Sequence, residues 1–113
     1  MAVSGSSDDL RKAKSLERDK SFAEAAKIYD SFANSRPEIA LKLGDWYTDG
    51  KIRGVQVQNQ IQKDETKAIE YYNKALGIPD AYAKIGSIYL DDKSDVFDEK
   101  KGISYCEQGI YRG

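Results

Sequence analysis

The sequence contains no histidine. That removes the commonest general base, the usual zinc ligand and every Ser/His or Cys/His nucleophilic arrangement, so no enzyme is expected. The single cysteine, Cys106, excludes an internal disulfide. No metal-ligand set accompanies it, so it reads as a small apolar residue of the core, and neither a metal nor a cofactor is expected. No phosphate-binding motif of the form G-x-x-x-x-G-K-[ST] or G-x-G-x-x-G occurs. An excess of one charge is also missing: 18 basic and 19 acidic side chains give a net charge of −1. Nucleic-acid binding leaves a basic excess or stripe, so no such partner is expected. No apolar run approaches the roughly 20 residues of a membrane span. The segment from Met1 to Asp9 lacks the basic and apolar parts of a secretory signal. Without signal or disulfide, the expected location is cytoplasmic.

Proline is scarce, and its two occurrences are informative. Pro37 and Pro79 open the same motif, 42 residues apart. One copy is Pro37-Glu38-Ile39-Ala40-Leu41-Lys42-Leu43-Gly44-Asp45-Trp46-Tyr47-Thr48; the other is Pro79-Asp80-Ala81-Tyr82-Ala83-Lys84-Ile85-Gly86-Ser87-Ile88-Tyr89-Leu90. A second pattern occurs three times, as Ala23–Ala33, Thr66–Leu76 and Lys100–Ile110, at offsets of 43 and 34. Self-similarity at such periods is the signature of stacked repeats. Helical spacing of apolar residues predicts six helices, near 8–19, 22–33, 37–49, 64–76, 79–90 and 98–111. Ser21 and Glu24 have capping-box spacing, Pro37 and Pro79 suit first helical positions, and Asp64 and Asp98 read as N-caps. Asp91, Asp92, Asp95, Asp98 and Glu99 crowd one loop. Lys93 interrupts the spacing a calcium loop needs and no glycine follows Asp95, so the loop reads as solvated and capping.

Gly44 and Gly86 sit mid-helix, where glycine costs about 1 kcal/mol relative to alanine. A repeated cost points to a repeated benefit, a helix too near for a Cβ. The expected fold is all-α: a right-handed α-solenoid of three antiparallel helix pairs. Residues 1–7 form a disordered tail and residues 8–112 one repeat domain, with units at about 8–33, 37–76 and 79–110.

The pattern resembles tetratricopeptide-like repeats, and more closely their Sel1-like subgroup. The resemblance is carried by Ala40-x-x-Leu43-Gly44-x-x-Tyr47, by Tyr82-x-x-Ile85-Gly86-x-x-Tyr89, and by Asp64-x-x-Lys67-Ala68-Ile69-x-Tyr71-Tyr72-x-Lys74-Ala75. It spans about residues 8–112 and is best in the middle unit. Ala13 replaces glycine in the first unit, and Gly102 and Gly109 replace alanine in the third. The resemblance implies a scaffold or adaptor that binds a protein or peptide and has no catalysis of its own. Two alternatives stand beside it: a regulatory or targeting segment of a larger enzyme or secretion machine, and a client-specific chaperone.

Two surfaces are candidates for contact. One is a groove along the first helices of the pairs, where Arg11, Lys42 and Lys84 hold equivalent slots and Lys14, Asp45 and Ser87 the next. Three cations in a row suit an acidic segment; Asp45, Asp49 and Asp91 are placed to pair with them. The other is the connection Lys51–Lys63, where Val55, Val57 and Ile61 alternate with glutamines. It reads either as a mobile loop with its apolar residues tucked in, or as a β-prone arm pairing with a partner or with itself. The last helix presents Ile103, Cys106 and Ile110 with no capping helix after Gly113, so a homodimer, a covering partner or a longer parent chain is expected.

Overall fold

The computed structural model describes residues 7–112. Among these are six helices: α1 (Ser7–Arg18), α2 (Phe22–Asp30), α3 (Pro37–Asp49), α4 (Glu65–Lys74), α5 (Asp80–Leu90) and α6 (Glu99–Arg112). Two short strands, β1 (Lys51–Ile52) and β2 (Val55–Gln56), lie between α3 and α4. The fold is helical, as the periodicity predicts. Residues 1–6 of the expected tail and Gly113 lie outside the described residues, and Ser7 is already the first residue of α1.

The caps follow sequence chemistry in four places and depart from it in two. Pro37 opens α3. Asp64 Oδ1 accepts the Lys67 amide at 3.0 Å, and Asp98 Oδ1 accepts the Lys101 amide at 3.1 Å. Asp91 Oδ1 accepts the Lys93 amide at 2.9 Å, so that loop carboxylate closes a turn. Pro79 is the N-cap residue of α5 rather than its first helical residue. Ser21 makes no side-chain cap. A residue 37 positions from Ala23 takes its place: Gln60 Oε1 accepts the Ala23 amide at 3.1 Å, and Gln60 Nε2 donates to the Lys20 carbonyl at 2.8 Å. The expected helix to residue 33 stops at Asp30 and continues as turns, with Phe32 and Ala33 still fully buried.

Helices pack chiefly with their chain neighbours as α1 with α2, α3 with α4, and α5 with α6, and more thinly as α2 with α3 and α4 with α5. The order of contacts along α5 and α6 makes that pair antiparallel: Gly109 lies against Tyr82, Gly102 against Leu90 and Gly86 against Cys106. Gly44 and Gly86 are the close approaches the sequence predicts. A Cβ on Gly44 would stand 2.5 Å from the Tyr72 ring, and one on Gly86 would run into the Cys106 sulfur and lie 3.0 Å from the Gly102 carbonyl. Ala13, in the matching slot of α1, is fully buried.

Contacts recur where the repeats align. The turn after each first helix closes with one hydrogen bond: Ser21 N–H to Leu16 O, Asp64 N–H to Tyr47 O, and Asp98 N–H to Tyr89 O, each 2.8 Å. Tyr47 stacks on Tyr71 and Tyr89 on Tyr105, both at 5.8 Å. Lys67 and Lys101 lie over the first ring of each stack. Tyr71 Oη donates to Asp30 Oδ1 at 2.6 Å, and Tyr105 Oη to Asn73 Oδ1 at 3.4 Å, joining successive second helices.

The connection after α3 is more ordered than a mobile loop. Lys51 pairs with Gln56 and Ile52 with Val55. Arg53 and Gly54 hold φ of 54° and 79°, the two positive values of the hairpin turn that matches strand twist. Ile52, Val57 and Ile61 are buried. The arm therefore pairs with itself and plugs the gap between α3 and the α1–α2 turn. Replacing it by a flexible linker would remove Ile61 from the core and Gln60 from the turn.

Gly86→Leu should cost about 3 kcal/mol through overpacking, and Gly86→Ala less, measured by denaturant unfolding. Parent-like stability for Gly86→Leu would remove the close-approach argument.

Candidate functional site

The first helices bring the predicted groove residues onto one side, but not into one track. Arg11 is exposed and reaches Asp8 on its own helix at 3.8 Å. Lys42 crosses from α3 to α1, where its Nζ lies 2.6 Å from Glu17 Oε1. Lys84 crosses from α5 to α3 and lies 3.0 Å from Asp45 Oδ1. The tyrosine of each pair completes the set: Tyr29 Oη donates to Glu17 Oε1 at 2.8 Å, and Tyr72 Oη to Asp45 Oδ1 at 2.6 Å. Tyr29 with Glu17 and Lys42, and Tyr72 with Asp45 and Lys84, are thus two copies of one triad. In each, a second-helix phenol and the next pair's lysine share a first-helix carboxylate. The groove is not a free row of cations. Lys42 also lies 4.7 Å from the Tyr29 ring centroid, so it is part of the packing rather than a surface position.

Burial sets the electrostatics. The Glu17 side chain is 10% exposed. Burial pushes its carboxyl up, but the Lys42 and Tyr29 hydrogen bonds and the Lys42 and Arg53 charges outweigh it and hold the group below its ordinary value. Burial, then the hydrogen bond to a carboxylate, raises the phenols of Tyr29, Tyr71 and Tyr72 well above theirs.

Two open depressions flank the triads. One, about 360 Å³, is bounded by Lys14, Glu17, Arg18, Lys42 and Arg53. The other, about 590 Å³, includes Asp45, Lys84, Ser87, Lys63 and Asp91. Lys14 and Lys42 thus fall in the first and Asp45, Lys84 and Ser87 in the second, while Arg11 borders neither. Of the proposed contact loop, Val55 is exposed, while Val57 and Ile61 are buried in the core. A third cleft, about 560 Å³ between α2 and α4, holds the Tyr47–Tyr71 stack among Lys27, Lys67 and Lys74. Sequence reasoning passed over those lysines. The signal was the recurrence of Lys67 as Lys101 in the aligned second helices. No group of three or more His, Cys, Asp or Glu among the described residues could hold a metal ion, and none of their helices is long and apolar enough to cross a membrane.

Comparison with protein-family models, curated proteins and solved structures gives no match. The residues and their geometry therefore carry the functional reading alone.

A double-mutant cycle on Glu17 and Lys42 should give a coupling of about 1–2 kcal/mol, because the carboxylate is nearly buried. The cycle on Asp45 and Lys84, whose side chains are 44% and 39% exposed, should give less than about 1 kcal/mol. Equal couplings would mean that burial does not decide the strength.

Stability should fall at both ends of the pH scale. Glu17 is depressed on folding, so its contribution is complete above the ordinary value of 4.5 and fades as pH falls through the folded value. The three phenols are raised on folding, so theirs is complete below 10.0 and fades as pH rises beyond it. Glu17→Gln should flatten the acid limb of stability against pH and, because the Glu17 carboxylate also raises the Tyr29 phenol, bring the alkaline decline to lower pH.

Proposed function

We propose that this chain is a three-unit helical-repeat module, a right-handed α-solenoid of the tetratricopeptide or Sel1-like kind, and that it holds a protein or peptide partner. The observation that carries this reading is the recurrence of one contact set in aligned positions. The same amide-to-carbonyl bond closes all three turns although the links differ in length, and a phenol–carboxylate–lysine triad occurs twice with its tyrosine and lysine aligned, its carboxylate coming from a different first-helix slot each time. Stacked units of this kind expose a long continuous face. Here that face runs along α1, α3 and α5, with the two depressions beside Lys14 and Lys84.

The partner fitting this face carries both charges. Lys42 and Lys84 already hold carboxylates, so a purely acidic segment would have to displace Glu17 or Asp45. Displacing Asp45 is the easier step, because its pair with Lys84 is half exposed. A ligand carboxylate at Lys84, with a donor reaching Asp45 or Asp91, loses the least. The partner remains a protein or peptide, with neither nucleic acid nor a membrane-inserted segment in the proposal.

Isotope-labelled protein titrated with acidic, basic and mixed-charge peptides should show amide shifts along α1, α3 and α5 for the mixed and acidic sets. Lys84→Glu should keep the fold and weaken acid-bearing peptides about tenfold, the loss of one charge-assisted hydrogen bond. Shifts confined to α2, α4 and α6, or none with any peptide, would overturn the proposal.

A further inference from the structure

The arm after α3 and the α1–α2 turn do not close on each other completely. Gln60 ties them, at the Ala23 amide and the Lys20 carbonyl, and a slot of about 340 Å³ is left beside it. That volume lies at the small end of the roughly 300–1,000 Å³ of ligand pockets. Phe22, Ile52 and Val57 give the slot apolar walls, and Val55, the exposed residue of the hairpin, stands at it as well. Ile52 and Val57 are buried, and Trp46 holds the Phe22 ring edge-on at 5.8 Å. Every wall comes from residues 17–60, inside the chain.

The rim is cationic. Arg18, Lys20 and Arg53 border the slot. The adjoining depression, which shares Arg18 and Arg53 with it, adds Lys14 and Lys42. Against these five cations stands one carboxylate, Glu17, already held by Lys42 and Tyr29. Lys14, Arg18 and Lys20 make no ion pair among the described residues, and Arg53, 3.5 Å from Glu17, stays 84% exposed. Arg18 and Lys20 end α1, where cations suit the helix dipole, but Lys14 lies mid-helix and Arg53 arrives from another element. Backbone strain falls at the same place. Lys20 and Arg53 hold φ of 66° and 54°, and among the described residues they are the only non-glycine residues at positive φ. Lys20 ends α1 where glycine is usual, and Arg53 opens a hairpin turn where asparagine is usual. A long cation is kept at both positions at the expense of stability, and such strain collects at functional sites.

We propose that this slot binds an acidic segment of a partner protein through one apolar anchor. A leucine-sized side chain enters between Phe22, Ile52 and Val57, and carboxylates on either side of it meet Arg18, Lys20 and Arg53. The proposal rests on the reading of the chain as an interaction module but concerns a surface apart from Lys84. Glu17 need not be displaced, because Lys42 and Tyr29 hold it. Residues 1–6 carry no acidic side chain, so the stretch before α1 is not the complement. A membrane surface fits less well, because the apolar walls are recessed and Val55 alone projects.

The test titrates the isotope-labelled full chain with the peptide Glu-Asp-Glu-Leu-Asp-Glu-Asp. Affinity is read from the amide shifts of Phe22, Arg53 and Val55, so that binding beside Lys84 is not counted. One control peptide has serine for leucine, and a second has amides for all its side-chain carboxylates. The parent peptide should bind, more weakly as salt rises, and each control should bind at least tenfold more weakly. Lys20→Asn and Arg53→Asn should each weaken the parent peptide about tenfold, the loss of one charge-assisted hydrogen bond. Both should melt no lower than the parent protein, because asparagine tolerates the positive φ. Lys84→Glu should leave the affinity at the slot unchanged. Absence of shifts at the slot, or affinity indifferent to both asparagine variants or to the loss of leucine, overturns the proposal. So does capture by phosphatidylserine vesicles without binding of the peptide, because the cations would then face a membrane. A salt-sensitive dimer of the free chain that Arg53→Asn dissociates also overturns it. The acidic loop 91–99 of a second copy, with its exposed Phe97, would then fill the slot. A failure confined to the slot leaves the peptide shifts along α3 and α5 and their dependence on Lys84 standing, so the two readings fail separately.

Discussion

A shared carboxylate holds one helix pair to the next. Glu17 receives both the phenol of its own pair and the ammonium of the following one; Asp45 does the same one unit later. Each component depends on the others. The carboxylate is buried or half-buried and needs donors, the phenol is buried and needs an acceptor, and in the first triad the Lys42 ammonium also lies over the Tyr29 and Trp46 rings. Apolar contact alone would let successive pairs slide. Directional bonds between the pairs, the shared carboxylate among them and the Tyr71–Asp30 bond beside it, set their register.

The α5–α6 pair lacks that device. Its corresponding positions hold Ser87, Leu90 and Cys106, none of which can make the triad. Within that pair, as within α3 and α4, shape holds the helices: Gly86 admits Cys106, Gly102 admits Leu90, and Tyr89 stacks on Tyr105. Polar specification therefore declines along the chain as exposed apolar surface grows.

Much of the fold was legible because it rests on local rules. Asp64 and Asp98 cap the helices they precede, Pro37 starts α3, and Gly44 and Gly86 mark close approaches. The groove was legible as a set of positions but not as a site, since Lys42 and Lys84 look solvent-facing on a single helix. Only the neighbouring pair brings Glu17 and Asp45 to them. Val57 and Ile61 left two readings open, tucked in or in contact with a partner, for a related reason. Their alternation with glutamines describes a strand-like arm, while their burial depends on a hairpin turn at Arg53-Gly54 folding the arm onto α3 and the α1–α2 turn.

Ser21 separates local from distant determination most clearly. Its spacing to Glu24 is that of a capping box, and such a box would satisfy the helix end with neighbouring residues. In the folded chain, Gln60 satisfies the Ala23 amide from the far side of the connection. By itself the sequence determined the helices, their repeat and the small residues at their crossings, because backbone propensity and periodicity act over a few residues. Tertiary structure alone decided which charges are paired and which apolar residues of the connection are buried. Those outcomes turn on desolvation and hydrogen-bond satisfaction between residues far apart in the chain.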